Sequence, residues 1–173
     1  ANIANVNETV TQEERVSSDI NASPAARGAA YNNSLSIMEN ARVDLGEEDY
    51  AKRVNEINEN AARDTLTAYI SQPGANVLSI VKSFRQGTLD DFVIKSASKN
   101  LSVEQIAKIA DGGVQRANRI IKLRTSQRKE EEKQASAVND EIYGFIVNTD
   151  FTDELSKSIA EEDFERLKAA NYF

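Results

Sequence analysis

The sequence predicts an all-α protein, and three observations carry that prediction. Apolar residues recur at steps of three and four along most of the chain, as in Tyr50, Val54, Ile57 and Ala61. Ser102 and Gln105 stand three apart ahead of an apolar run, which is the spacing of a helix capping box. No segment shows the apolar/polar alternation that a half-buried strand needs. The expected architecture is a helical bundle of short helices with one long helix over about 114–147, a C-terminal helix and an extended polar N-terminal arm.

Residues 1–34 are rich in Asn, Ala and Ser, contain no Lys, and hold few large apolar side chains: Ile3, Val6, Val10, Val16 and Ile20. So little apolar surface offsets little ordering entropy, which predicts an arm that is disordered or ordered only on a partner. Residues 35–173 form the expected single α-helical domain. Leu35, Met38, Arg42 and Leu45 share a stripe ending at Gly46, a short amphipathic helix over 34–45. From Glu47 the repeat resumes and runs through Leu66, Tyr69 and Ile70 until Gln72-Pro73-Gly74 stops it.

Val77, Leu78, Ile80, Val81 and Phe84 cover enough of one helix's circumference to predict a central position, with Gly87 as its end. Thr88 then opens a short helix with Asp91 at its third position, burying Leu89, Phe92 and Val93. Ser102 and Gln105 start the next one, flanked by Leu101 and Ile106 as a hydrophobic staple, and Asp111-Gly112-Gly113 is expected to end it. Beyond the glycines, Val114, Ala117 and Ile121 begin a seam that continues through Arg124, Arg128 and Glu131 and returns to Ala135, Val138, Ile142 and Phe145. No Gly or Pro interrupts residues 125–134, so the long helix is expected to be continuous. A turn at Asn148-Thr149-Asp150 leads to the last helix, through Leu155, Ile159, Phe164 and Leu167.

Composition excludes several chemistries. The chain has no Cys and no His, so disulfides, zinc-thiolate sites and Ser-His-Asp or Cys-His catalysis are all ruled out. Paired carboxylates, Asp90-Asp91 or Glu161-Glu162-Asp163, are the remaining acid-base candidates, and runs of this kind are usually solvated surface. Gly112-Gly113 lacks the strand and the Lys-Ser/Thr of a phosphate loop. The expectation is a non-enzymatic protein with no catalytic residue, no cofactor and no metal site. No apolar run approaches the ~18 residues that span a bilayer, and no secretory signal opens the sequence, so cytoplasmic synthesis is expected.

The functional signal is a basic island in an acidic chain. Net charge is -7, yet residues 115–129 carry Arg116, Arg119, Lys122, Arg124, Arg128 and Lys129 with no Asp or Glu, directly before Glu130-Glu131-Glu132. Such a stretch faces a negative partner or is neutralised by the chain's own carboxylates. The segment 140–165 is a candidate for the second role, with nine Asp/Glu against one Lys. Leu101 to Arg124 also resembles the outline of a helix-turn-helix, a first helix containing Ala107, a glycine turn and a basic second helix. It departs from that motif in its two glycines and in lacking a polar cluster to read base edges.

Polar arm, protruding charged helix and absent catalytic chemistry together predict a structural or assembly protein acting through protein-protein contacts in an oligomer or larger complex. Its most concrete version is a virion component, such as a tailed-phage internal, scaffolding or head-completion protein. The alternative is a nucleic-acid-binding packaging or regulatory protein that sets the basic helix 115–129 on phosphates.

Overall fold

A computed structural model of the chain describes residues 2–148 together with Glu165. Six helices account for nearly all the described residues, and no strand occurs among them. They are α1 (Ile3–Ser18), α2 (Pro24–Leu45), α3 (Glu47–Ile70), α4 (Val77–Gln86), α5 (Phe92–Ser98) and α6 (Val103–Asn148). The chain divides into two compact units, residues 1–120 and 121–173, with α6 contributing to both. The expected C-terminal helix lies outside the described residues except for Glu165, which is helical and exposed.

Residues 2–34, read from sequence as a polar arm, are instead α1 and the first half of α2, packed into the first unit. Asn2 caps α1 by accepting from the Ala4 amide at 3.1 Å, and Val10 is fully buried. Ser23 caps α2 by accepting from the Ala26 amide, and Pro24 takes the first helical position, where a missing amide hydrogen costs nothing. The packing adds small residues and polar bonds to a few large buried side chains, Val10 and Tyr31. Ser17, Ala30 and Ser34 are buried, and Glu14 on α1 accepts from Arg53 and Asn60 on α3, both at 3.0 Å.

Between α2 and α3 stands Gly46 with φ +81°, a conformation that costs other residues a steric penalty. Its amide donates to the Arg42 carbonyl at 2.9 Å while its own carbonyl accepts from the Tyr50 amide at 3.0 Å, so one residue closes one helix and opens the next. Glu47, Glu48 and Asp49 place negative charge in the first turn of α3, where the helix dipole favours it. Gly87, at φ +71°, ends α4.

Two apolar clusters form the interior of the first unit. Val10, Met38 and Ile57 join α1, α2 and α3. The larger cluster gathers Leu66 and Ile70 of α3, Val81 and Phe84 of α4, Val93 and Ala97 of α5, and Ile109, Ala110 and Ala117 of α6. The central position expected for residues 77–86 is not what the structure shows: α4 buries one face, Val77, Val81 and Phe84, and leaves Leu78 49% exposed on the other.

One buried ion pair ties these elements together. Arg27 of α2 donates to both carboxylate oxygens of Asp91, at 2.5 and 3.2 Å, and through Nε to the Ser17 carbonyl of α1 at 2.9 Å. Both side chains are almost fully buried, 6% and 2% exposed. Asp91 also accepts from the Tyr69 hydroxyl of α3 at 2.8 Å and from the Ile94 amide at 3.0 Å. It is therefore the N-cap of α5 and not, as the sequence suggested, a residue of its first turn. Burial by itself would raise the Asp91 carboxyl; the Arg27 guanidinium, the Ile94 amide and the Tyr69 hydroxyl overcome it and hold the group below the ordinary aspartate value.

Removing one member of this pair strands a buried charge. Arg27→Met is expected to lower the free energy of unfolding by about 3–5 kcal/mol, measured by urea denaturation at pH 7. A loss under about 1 kcal/mol would show the pair to be solvated. Because the folded carboxyl of Asp91 titrates below the unfolded one, its contribution is complete above the ordinary aspartate value of 3.8 and is lost as pH falls through the lower folded value. The stability gap between the native chain and Asp91→Asn should accordingly narrow on acidification below that point. Thr65 supplies a contrasting case: it is fully buried and its hydroxyl has no hydrogen-bond partner among the described residues. Replacing it by the isosteric Val should raise stability by about 1 kcal/mol, since an unmade buried hydrogen bond is removed without loss of shape.

Candidate functional site

The capping box that the sequence predicts is present at the start of α6. The Gln105 amide donates to Ser102 Oγ at 3.1 Å and the Ser102 amide donates to Gln105 Oε1 at 2.9 Å. Leu101 and Ile106 both pack on the larger apolar cluster. Gln105 reaches further, donating to Asn55 and to Glu59 of α3, each at 3.0 Å.

The expected break at Asp111-Gly112-Gly113 does not occur: α6 runs through both glycines without interruption. With no turn there is no helix-turn-helix and no hairpin, and the expected long helix over 114–147 is the greater part of a 46-residue one. The two glycines have different physical roles. A Cβ on Gly113 would stand 3.1 Å from Leu66 Cδ2 and 3.3 Å from Val81 Cγ2, so its bare backbone is what lets α6 approach α3 and α4. A Cβ on Gly112 would meet nothing within 4 Å. Packing explains the first glycine and not the second.

Arg116 and Arg119 lie on the part of α6 in the first unit and are exposed. Within the second unit Lys122, Arg128 and Lys129 are exposed and Arg124 is half-buried. These four do not form one stripe. At ~100° per residue, Lys122 and Lys129, seven apart, share a face, whereas Arg124 and Arg128 lie on the opposite side. Arg128 pairs with Glu132 at 3.5 Å, one helical turn on. Among the described residues Arg116, Arg119, Lys122 and Lys129 make no ion pair.

The seam expected along the long helix is apolar at its ends, with Ala117 and Ile142 buried. Between them, residues 121–137 are exposed apart from half-buried Arg124, including Ile121 at 37% and Leu123 at 63%. The carboxylate candidates are not brought together: Asp91 is locked to Arg27, while Asp90 is fully exposed beside Lys95 at 3.0 Å. Glu161, Glu162 and Asp163 lie outside the described residues. No described helix is long and apolar enough to cross a membrane.

Sequence reasoning missed a groove in the first unit, between α3 and α6. It has a volume of about 200 Å³ and its lining includes Glu59, Arg63 and Thr67 of α3 and Lys108, Gly112 and Arg116 of α6. Lys108, Gly112 and Arg116 stand at successive steps of four and so share one helical face, a signal present in the sequence but hidden once the glycines are read as a turn.

No protein-family model matches this chain, and neither a curated protein nor a solved structure does.

The glycine contrast is directly measurable. Gly112→Ala should stabilise the protein by about 0.5–1 kcal/mol through helix propensity alone. Gly113→Ala should gain less or lose, because Leu66 and Val81 must yield to the new methyl. Equal gains in denaturation midpoint at both positions would contradict the close approach of α6 at Gly113.

Proposed function

We propose that this chain is a non-enzymatic assembly protein that acts through protein-protein contacts in a larger complex. The single observation that supports this reading is the uncovered stretch of α6 over residues 121–137, where Ile121 and Leu123 face solvent. A helix this long normally buries an apolar face against something. A second chain laid along this stretch would supply what it lacks. Absence of Cys and His removes the commonest catalytic groups, and the carboxylates Asp90 and Asp91 serve the surface and the interior separately. The most concrete form of the proposal is a virion component, such as a tailed-phage internal, scaffolding or head-completion protein.

A second reading is favoured by the cations that have no carboxylate partner among the described residues. Arg116, Arg119, Lys122 and Lys129 would bind phosphates of a nucleic acid, in a packaging or regulatory protein, without reading sequence. Exposed ion pairs contribute only about 0–1 kcal/mol each, so these residues would set orientation more than affinity in a protein contact.

The two readings separate in solution. Sedimented from its native source, the chain should travel with a larger complex, and replacing Ile121 and Leu123 by Glu should release it while its circular dichroism stays helical. A native chain that sediments as a free monomer would overturn the assembly reading. Duplex-DNA binding that falls steeply with salt, and is lost on replacing Arg119, Lys122 and Lys129 by Gln, is the outcome expected of the second reading.

A further inference from the structure

We propose that the groove between α3 and α6 is a phosphate-binding site, floored by the bare backbone of Gly112 and clamped by Arg63, Lys108 and Arg116. This inference stands apart from the assembly reading, since every residue in it belongs to the first unit.

Gly112 is the starting point. It sits inside a continuous helix, where glycine is unfavourable, yet no neighbour would touch a Cβ placed there. Gly112 is exposed and lines the groove, with Lys108 one turn before it and Arg116 one turn after. Glycine lets a ligand approach the helix backbone, which a larger side chain would prevent.

The charges are available. Lys108 and Arg116 make no hydrogen bond or ion pair among the described residues. Arg63 is held along α3 by Asn60, which accepts from its guanidinium, and by Asp64 at 3.4 Å. Glu59, the one carboxylate on the lining, already accepts from Gln105. Even with Asp64 beside Arg63, the three cations outnumber the carboxylates near them, which suits an anionic phosphate group. Two guanidinium forks match phosphate geometry, and the half-buried Thr67 adds a hydroxyl beside them. The volume, about 200 Å³, is below the ~300 Å³ at which whole drug-sized ligands begin, so the groove takes a phosphate or pyrophosphate group and not an entire nucleotide.

A phosphate can arrive on a free small molecule or on a nucleic-acid backbone, and the test distinguishes them. The full chain is titrated calorimetrically with pyrophosphate and, separately, with a short DNA duplex. Pyrophosphate should bind one to one, with affinity reduced about tenfold or more in Lys108→Gln and in Arg116→Gln, the scale of one lost charge-assisted contact. Gly112→Leu retains every charge and fills the groove, so binding should disappear. Replacing Lys133, an exposed residue of the second unit, by Gln should leave it unchanged. If Gly112→Leu weakens duplex binding equally, the phosphate is that of a nucleic acid; if duplex binding ignores it, the ligand is a free phosphate compound. Should Gly112→Leu fail to fold, the two exposed Gln variants decide the matter. No pyrophosphate binding by the native chain, or equal weakening by the Lys133→Gln control, would overturn the proposal.

Discussion

The first unit depends on the bond between Arg27 and Asp91. It is a bidentate pair almost wholly withdrawn from water, and each partner spends its remaining hydrogen-bonding capacity on another element. Through it the end of α1, the start of α2, the last turns of α3 and the first turn of α5 meet at one point. A buried pair gives little net stability over a well-packed apolar substitute. What it supplies here is position: Tyr69, the Ser17 carbonyl and the Ile94 amide satisfy the pair in one arrangement of four helices, and sliding any of them would leave a charge or donor unmatched.

The same logic explains why α1 and α2 belong to the interior despite their composition. Gly28 brings α2 near enough to α5 that a Cβ there would stand 3.2 Å from the Phe92 ring. Ser17, Ala30 and Ser34 are small enough for backbones to approach, and the polar bonds of Glu14, Arg53 and Asn60 hold α1 on α3. Close approach recovers in dispersion contact part of what large side chains would have contributed by burial. Apolar content alone therefore underestimates how much of this chain folds.

Much of the fold was legible in the sequence because local chemistry announced it. The three-four stripe of 47–70, the stops at Pro73-Gly74 and Gly87, and the reciprocal caps at Ser102 and Gln105 act within a few residues of themselves, and each is found where expected. The Ser23-Pro24 start of α2 is equally local but went unread, because the low hydrophobicity of the segment predicted an arm. Long-range effects were not legible. Nothing near Asp91 reveals an arginine 64 positions earlier, and nothing near Gly112-Gly113 reveals that Leu66 and Val81 reward a glycine inside a helix. The basic island was visible as composition, but its division between opposite faces follows only once α6 is known to be continuous.

That continuity also bears on how the solvent-facing turns of α6 come to be helical. Starting a helix in water is costly, because several residues must be fixed before the first hydrogen bond forms, whereas each later residue adds one bond for one residue ordered. Residues 121–137 do not have to start anything. Their first turn is laid down at Ser102 and Gln105, and the residues from Ile109 to Ala117 are held in helical form by the apolar cluster. The exposed stretch is an elongation product of a nucleus built elsewhere, so its helicity is inherited from the first unit, and its sequence is free to carry charge and surface instead of core.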